Sequence, residues 1–239
     1  MVRDLYAPGS FNDATRYAWS SLPRIIKRWW PLYTVAIVCR VAPQYSASIL
    51  LNDLGGLILG GVALISAALT FRGSRPDARA ALAGLLWTFI IPTAAFGLLG
   101  LLLPRPPVIS AELWLYFAGT LLAIWLYPKI IGAACISLLG NDRETALDAY
   151  AVAWRFISGN VWWRFFFISL LAAIPVAVIS VVFLRVAPPN SSLLGLRYLA
   201  LTIVALAGEV FTNSAMCAIV ATVPHLRARY GEASENSAQ

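Results

Sequence analysis

Long apolar runs constrain this chain more than any other feature of it. About 20 predominantly apolar residues carry an α-helix across the hydrocarbon core of a bilayer, and six stretches approach or exceed that length: residues 29–48, 54–71, 80–103, 113–139, 161–184 and 196–223. Backbone amides find no water in that medium, so such runs span as helices that satisfy their own hydrogen bonds. The expected fold is therefore all-α, a polytopic membrane bundle of six transmembrane helices. Composition agrees, since 60% of the residues are hydrophobic and 12% charged, against roughly 45–50% and 25% in soluble domains. For the chain as a whole a soluble enzyme, a disordered tail and a disulfide scaffold are all ruled out. The first run is the weakest: Arg40, Pro43 and Gln44 interrupt it, which predicts a short or tilted helix with a snorkelling arginine.

The basic residues set the expected orientation. With the N-terminus inside, thirteen of the 18 lysines and arginines fall in cytoplasmic segments, Arg40, Arg105, Arg185 and Arg197 fall on the far side, and Lys129 lies within the fourth run. This excess predicts both termini in the cytoplasm. The net charge of +7 speaks in such a chain to anionic lipid and not to nucleic acid.

A three-fold internal repeat is visible before each odd-numbered run. Ser10-Phe11-Asn12-Asp13, Ser74-Arg75-Pro76-Asp77 and Asn141-Asp142-Arg143-Glu144 each place a carboxylate three residues after a helix-capping residue, the pattern of a capping box. Residues 1–230 then read as a single membrane domain of three helical hairpins, about 10–73, 74–140 and 141–230, followed by a disordered polar tail, 231–239. Asp13-Ala14, Ala18-Trp19 and Trp29-Trp30 of the first copy correspond to Asp148-Ala149, Ala153-Trp154 and Trp162-Trp163 of the third. The second copy keeps only Asp77-Ala78 and Trp87.

The first and third copies open with amphipathic cytoplasmic helices. Steps of 100° gather Phe11, Ala14, Ala18, Leu22, Ile25 and Trp29 on one face and Arg16, Arg24 and Lys27 on the other, with Pro23 expected to bend or divide the helix. In the third copy Leu147, Tyr150, Trp154 and Ile157 share a side opposite Glu144, Asp148 and Arg155. Both helices are expected to lead into the spans. Trp19, Arg24, Lys27, Arg28, Trp29, Trp30, Trp154, Trp162, Trp163 and Arg164 are the expected lipid-headgroup and interface residues.

The alanine–tryptophan pairs, the segment Ser158-Gly159-Asn160-Val161-Trp162-Trp163 and the basic exit from Val223 through Pro224, His225 and Arg227 to Tyr230 together resemble bacterial six-helix inner-membrane proteins of the YciC-like type. The arrangement is also similar to the membrane domain that accompanies some glycerophosphodiester phosphodiesterases. The resemblance implies a bacterial inner-membrane location and a part in envelope or lipid upkeep, and it brings no catalytic motif with it.

Glu209 is the sharpest single signal, because a carboxylate near the middle of a span faces protein or water and not lipid. Thr202, Thr212, Asn213 and Cys217 recur with it at helical spacing, so this face of the last span is expected to point inward. Lys129 lies about 6 Å from the depth of Glu209 by helical rise, and a Lys129–Glu209 contact is expected. The two, with Thr212 and Asn213, would form an intramembrane polar layer. Gly56 and Gly60 form a GxxxG packing surface. Pro92, Pro128 and Pro175 fall within spans, each depriving a carbonyl of its helical donor. Cys39, Cys135 and Cys217 lack metal-ligand spacing and read as small core residues. No cofactor, metal or catalytic residue is expected. The sequence therefore points to a non-enzymatic membrane scaffold or accessory subunit with lipids and membrane-protein partners, or a homo-oligomer. Its alternative is a small permease, channel or transporter component built on the Glu209 and Lys129 layer.

Overall fold

A computed structural model of the chain describes residues 11–42, 49–73, 78–102, 111–140, 145–186 and 194–222. Every regular element among them is helical: α1 (Phe11–Val41), α2 (Ile49–Arg72), α3 (Ala78–Leu85), a π-helical turn (Leu86–Ile90), α4 (Ile91–Leu102), α5 (Ala111–Leu139), α6 (Ala146–Phe156), α7 (Gly159–Val186) and α8 (Leu194–Val220). Four stretches are long and apolar enough to cross a membrane, Leu54–Arg72, Ala118–Leu139, Gly159–Phe183 and Leu194–Val220, which marks an integral membrane protein. Ser10, Ser74–Asp77, Asn141–Glu144 and the exit and tail from residue 223 onward lie outside the described residues.

At the centre, α2, α5 and α8 pack against one another. Helices α5 and α8 run parallel and in register, for Tyr127 meets Glu209 and Cys135 meets Cys217 at the same separation of 82 residues. Helices α2 and α5 end together, where the Arg72 guanidinium donates to the Leu138 carbonyl at 3.1 Å. A cation thus sits at the negative end of a helix and satisfies one of its last carbonyls. Leu64 and Ala68 of α2, Ile131 and Leu138 of α5, and Met216 and Val220 of α8 fill one buried cluster at this end. The remaining helices surround the centre: α1 lies against α2 and α8, the path from α3 to α4 against α5 and α2, and α7 against α8 and α5.

In α1, Ala14, Ala18 and Ile25 are buried while Arg16, Arg24 and Lys27 are exposed, as the helical periodicity requires. Pro23 does not divide the helix, which is continuous from Phe11 to Val41. Tyr17 stacks edge-on against Phe71, yet Trp29 donates its indole N–H to the neighbouring Thr70 hydroxyl at 3.0 Å. A straight helix lying along α2 would separate Tyr17 and Trp29 by about 18 Å, so the stretch containing Pro23 crosses the end of α2 obliquely.

The glycines of α2 serve two partners. A Cβ at Gly55 would sit 2.5 Å from the Cys39 carbonyl oxygen and 2.9 Å from Arg40 Cα, which makes Gly55 the point where the α1 and α2 backbones approach. Gly56 faces the Arg40 guanidinium and Gly60 faces the Phe89 ring. The expected GxxxG surface is therefore shared between α1 and the π-helical turn.

That turn ends two residues before Pro92, which removes one bond from the ladder but does not stop α4. The Ile91 amide donates to Leu86, five residues back. Pro92 has no amide to give Thr88, four residues before it, and the Tyr150 hydroxyl donates to the Thr88 carbonyl at 3.0 Å. Tyr150 belongs to α6, which docks along α5. Ala149, Ala153 and, just past the end of α6, Ile157 are buried; of the expected face Ile157 is buried and Tyr150 partly so, while Leu147 and Trp154 are exposed. Small alanines let α6 lie close to α5, where Gly132 leaves room for Ile157. The cap also differs from expectation. Thr145 and Asp148 form the capping box, with the Asp148 amide donating to the Thr145 hydroxyl at 3.2 Å and the Thr145 amide donating to Asp148. Gly159, at φ +51°, takes the left-handed conformation that lets α7 start directly after α6.

Candidate functional site

The densest grouping of chemically distinctive side chains lies where α5, α6 and α7 meet. Lys129 is buried among hydrophobic neighbours, and its ammonium lies 4.2 Å from the ring centroid of Trp125 and 3.8 Å from that of Trp154. Trp125 precedes Lys129 by one helical turn on α5, and Trp154 arrives from α6; their rings meet edge to face at 5.3 Å. A cation between two indole faces is held by both ring quadrupoles. Trp162 adds a third indole, whose N–H donates to the Trp125 carbonyl at 3.1 Å. That carbonyl adjoins Ile124, the residue that Pro128 leaves without its helical donor. Trp162 stacks on Phe166 at 5.3 Å, and Trp163 meets Trp162 edge-on at 4.9 Å and Phe167 at 6.0 Å. Trp125, Trp154 and Trp163 remain exposed, so the cluster forms a ledge of indoles around one ammonium, with Arg155 and Arg164 on the same helices.

The helix that brings Trp154 to this place is fixed at its start by the capping box. The Thr145 hydroxyl and amide donate to the Asp148 carboxylate and hold its pKa below the usual carboxylate range. Burial raises the Tyr150 phenol above its ordinary value, in keeping with a hydroxyl committed to donating to Trp87 and Thr88 carbonyls.

Glu209 and Lys129 do not pair. Tyr127 donates its hydroxyl to Glu209 at 3.4 Å, while Lys129 turns to the tryptophans. The reason is angular: residues two apart on a helix point about 200° from one another, so the face of α5 that meets α8 carries Tyr127 and not Lys129. Groups at matching heights on two helices meet only if they also point toward one another, and Lys129 points away from α8. Thr202, Thr212, Asn213 and Cys217 are all buried, and this face of α8 does point inward. Asn213 is 1% exposed, and among the described residues neither its amide oxygen nor its amide nitrogen has a hydrogen-bond partner.

The remaining interface residues lie elsewhere. Trp19, Arg24, Lys27, Arg28 and Trp30 are exposed along α1, with Trp19 edge-on to Phe211 at 5.6 Å and Arg28 over the Trp29 ring at 5.6 Å. The structure joins Trp154, Trp162 and Trp163 into one ledge and leaves the α1 tryptophans apart from it. Trp125 and Tyr127 escaped the sequence reading, although Trp125 and Lys129 at i, i+4 spacing carry a legible signal. Neither protein-family models, nor curated proteins, nor solved structures match this chain.

Proposed function

We propose that the chain is a non-enzymatic integral membrane scaffold or accessory subunit that binds lipid, or a larger membrane complex, at the α5–α6–α7 ledge. The observation that carries this reading is the Lys129 ammonium seated between Trp125 and Trp154 beside exposed Trp163. Indoles favour the boundary between hydrocarbon and headgroups, and a cation there attracts anionic headgroups. The test is purification in mild detergent followed by mass spectrometry of the proteins and lipids that remain attached. Stoichiometric partners or specifically retained anionic lipid support the reading, and a bare monomer without either overturns it.

The architecture we infer around the ledge is six spans in three hairpins, with both termini in the cytoplasm of a bacterial inner membrane. The pattern of neighbours supports it. The first helix of each hairpin lies against its own second helix and against the second helix of the preceding hairpin, cyclically, while the second helices α2, α5 and α8 meet at the centre. Topology reporters fused after residues 73, 105, 140 and 190 test it.

One observation favours a second reading, a small permease, channel or transporter component. The Tyr127–Glu209 contact and the unpartnered Asn213 amide share the inward face of α8, and such groups inside a bundle mark ion or proton paths elsewhere. In this reading Lys129 stands outside the polar layer. Unchanged transport by Glu209→Gln in proteoliposomes would exclude it.

A further inference from the structure

Around the Tyr127–Glu209 contact, three helices bring together polar atoms that the chain itself leaves unmatched. Among the described residues the Glu209 carboxylate has one hydrogen bond, from the Tyr127 hydroxyl at 3.4 Å, and no ion pair. That bond is slack, since O–H···O bonds ordinarily close to about 2.7–2.8 Å. Asn213 follows Glu209 by four residues, and Cys217 follows Asn213 by four. Glu209 and Cys217 both touch α5, and each step of four turns the helix by only about 40°, so Asn213 between them faces α5 too. Its amide is 1% exposed and among the described residues neither polar atom is partnered.

Helix α7 adds a third group. Ile168 shares a buried cluster with Ala215, and Ala172 lies against Gly208, so α7 runs antiparallel to α8 and Ser169 stands at the height of the turn from Glu209 to Asn213. Phe165, one turn before Ser169 on the same face of α7, meets the Tyr127 ring at 6.3 Å. The Ser169 hydroxyl is buried and has no hydrogen-bond partner among the described residues. Carboxylate, amide and hydroxyl are thereby gathered in the seam between α5, α7 and α8. Glu209 is half-buried and Asn213 buried, so the seam is open at the carboxylate and closed at the amide.

The unmatched atoms select among occupants. A proton would neutralise Glu209 and leave the Asn213 and Ser169 oxygens as they are, while a water molecule would match those oxygens and leave the carboxylate charge without a counter-ion, which is costly inside a span. A hard monovalent cation does both, because it takes oxygen ligands and cancels one negative charge. It also frees the Asn213 amide N–H to donate to the carboxylate. A divalent ion would leave the site positive. We propose that Glu209, Asn213 and Ser169 form a binding site for one alkali cation, with Tyr127 holding the carboxylate in place. The proposal rests on the second of the two readings above and names the ion that it would handle.

The experiment is thermal unfolding of the full-length protein in detergent at one pH and one ionic strength, with sodium chloride exchanged for the chloride of N-methylglucamine, a cation too large for such a site. The expected result is an unfolding temperature raised by about 3–6 °C when sodium reaches about ten times its dissociation constant, growing with the logarithm of sodium thereafter. Glu209→Gln and Asn213→Leu should each abolish that increment, and Ser169→Ala should reduce it. If the glutamine variant does not fold, Asn213→Leu decides, since without sodium it removes an orphaned amide and should be the more stable chain. No sodium increment in the parent protein, or an increment kept by both variants, overturns the site. Ion flux in proteoliposomes separates this failure from that of the transport reading. Proton flux that Glu209→Gln removes, with no sodium increment, overturns the alkali site and leaves the transport reading in place. A sodium increment without flux sustains the site and overturns that reading, and the absence of both overturns both.

Discussion

The ammonium of Lys129 lies closer to Trp154, an indole from a separate helix, than to Trp125, one turn away on its own helix. The long-range partner therefore matters for holding α6 against α5. Trp154→Leu is expected to lower the thermal stability of the detergent-solubilised protein by about 1–2 kcal/mol, the range for a partly desolvated cation–π pair. Adding Lys129→Met should recover part of that loss, because the cation no longer needs its indole. A double-mutant cycle with no coupling would remove the pair from the account.

Asn213 invites the opposite change. Its amide is buried with neither atom partnered among the described residues, and an unsatisfied buried polar group costs about 1–3 kcal/mol. Asn213→Leu is expected to raise the unfolding temperature. A fall in stability would mean that the amide holds a polar partner, and would strengthen the transport reading.

The Cys217 thiol donates to Cys135 Sγ at 3.6 Å within the core. Copper-phenanthroline treatment of membranes, followed by cleavage between α5 and α8, should leave the two fragments joined by a Cys135–Cys217 disulfide, while Cys39 takes up maleimide. Separation of the fragments without reductant would show that α5 and α8 do not share this register.

Gly55 and Gly56 are adjacent but face different obstacles. Gly55→Ala drives a methyl into the Cys39 and Arg40 backbone, whereas Gly56→Ala meets only the end of a flexible guanidinium. The first should cost about 1–3 kcal/mol and the second much less, measured by thermal unfolding in detergent.

At the start of α6, the depressed pKa of Asp148 makes stability pH-dependent in one direction. The cap is fully present above the unfolded carboxylate value of about 3.9 and is lost as pH falls through the lower folded value. Trp154 fluorescence, read in a variant with the other tryptophans replaced, should change in that acid range. Asp148→Asn should remove the transition.

Those features that depend on one helix and its own period were legible in the sequence. The apolar runs located α2, α5, α7 and α8, and the spacing of Thr202, Asn213 and Cys217 placed them on a buried face. Features that need direction or a second helix were not. Lys129 and Tyr127 compete for the face of α5 opposite Glu209, and depth alone does not choose between them. The cap at Thr145 was missed because the same cap-and-carboxylate spacing occurs four residues earlier, at Asn141 and Glu144. No local signal discloses a π-helical turn before Pro92, and Tyr150, which serves the Thr88 carbonyl, lies in a different helix, α6.

The Tyr150–Thr88 hydrogen bond also orders events in time. Its two ends lie 62 residues apart, so the third helical path is synthesised well before the hydroxyl that serves it exists. Until α6 emerges, the Thr88 carbonyl has neither the amide that proline lacks nor the tyrosine, a costly state for a backbone group away from water. Nascent chains halted between residues 102 and 145 should therefore hold this helix less firmly folded than finished ones, and α6 becomes the piece whose arrival completes its predecessor.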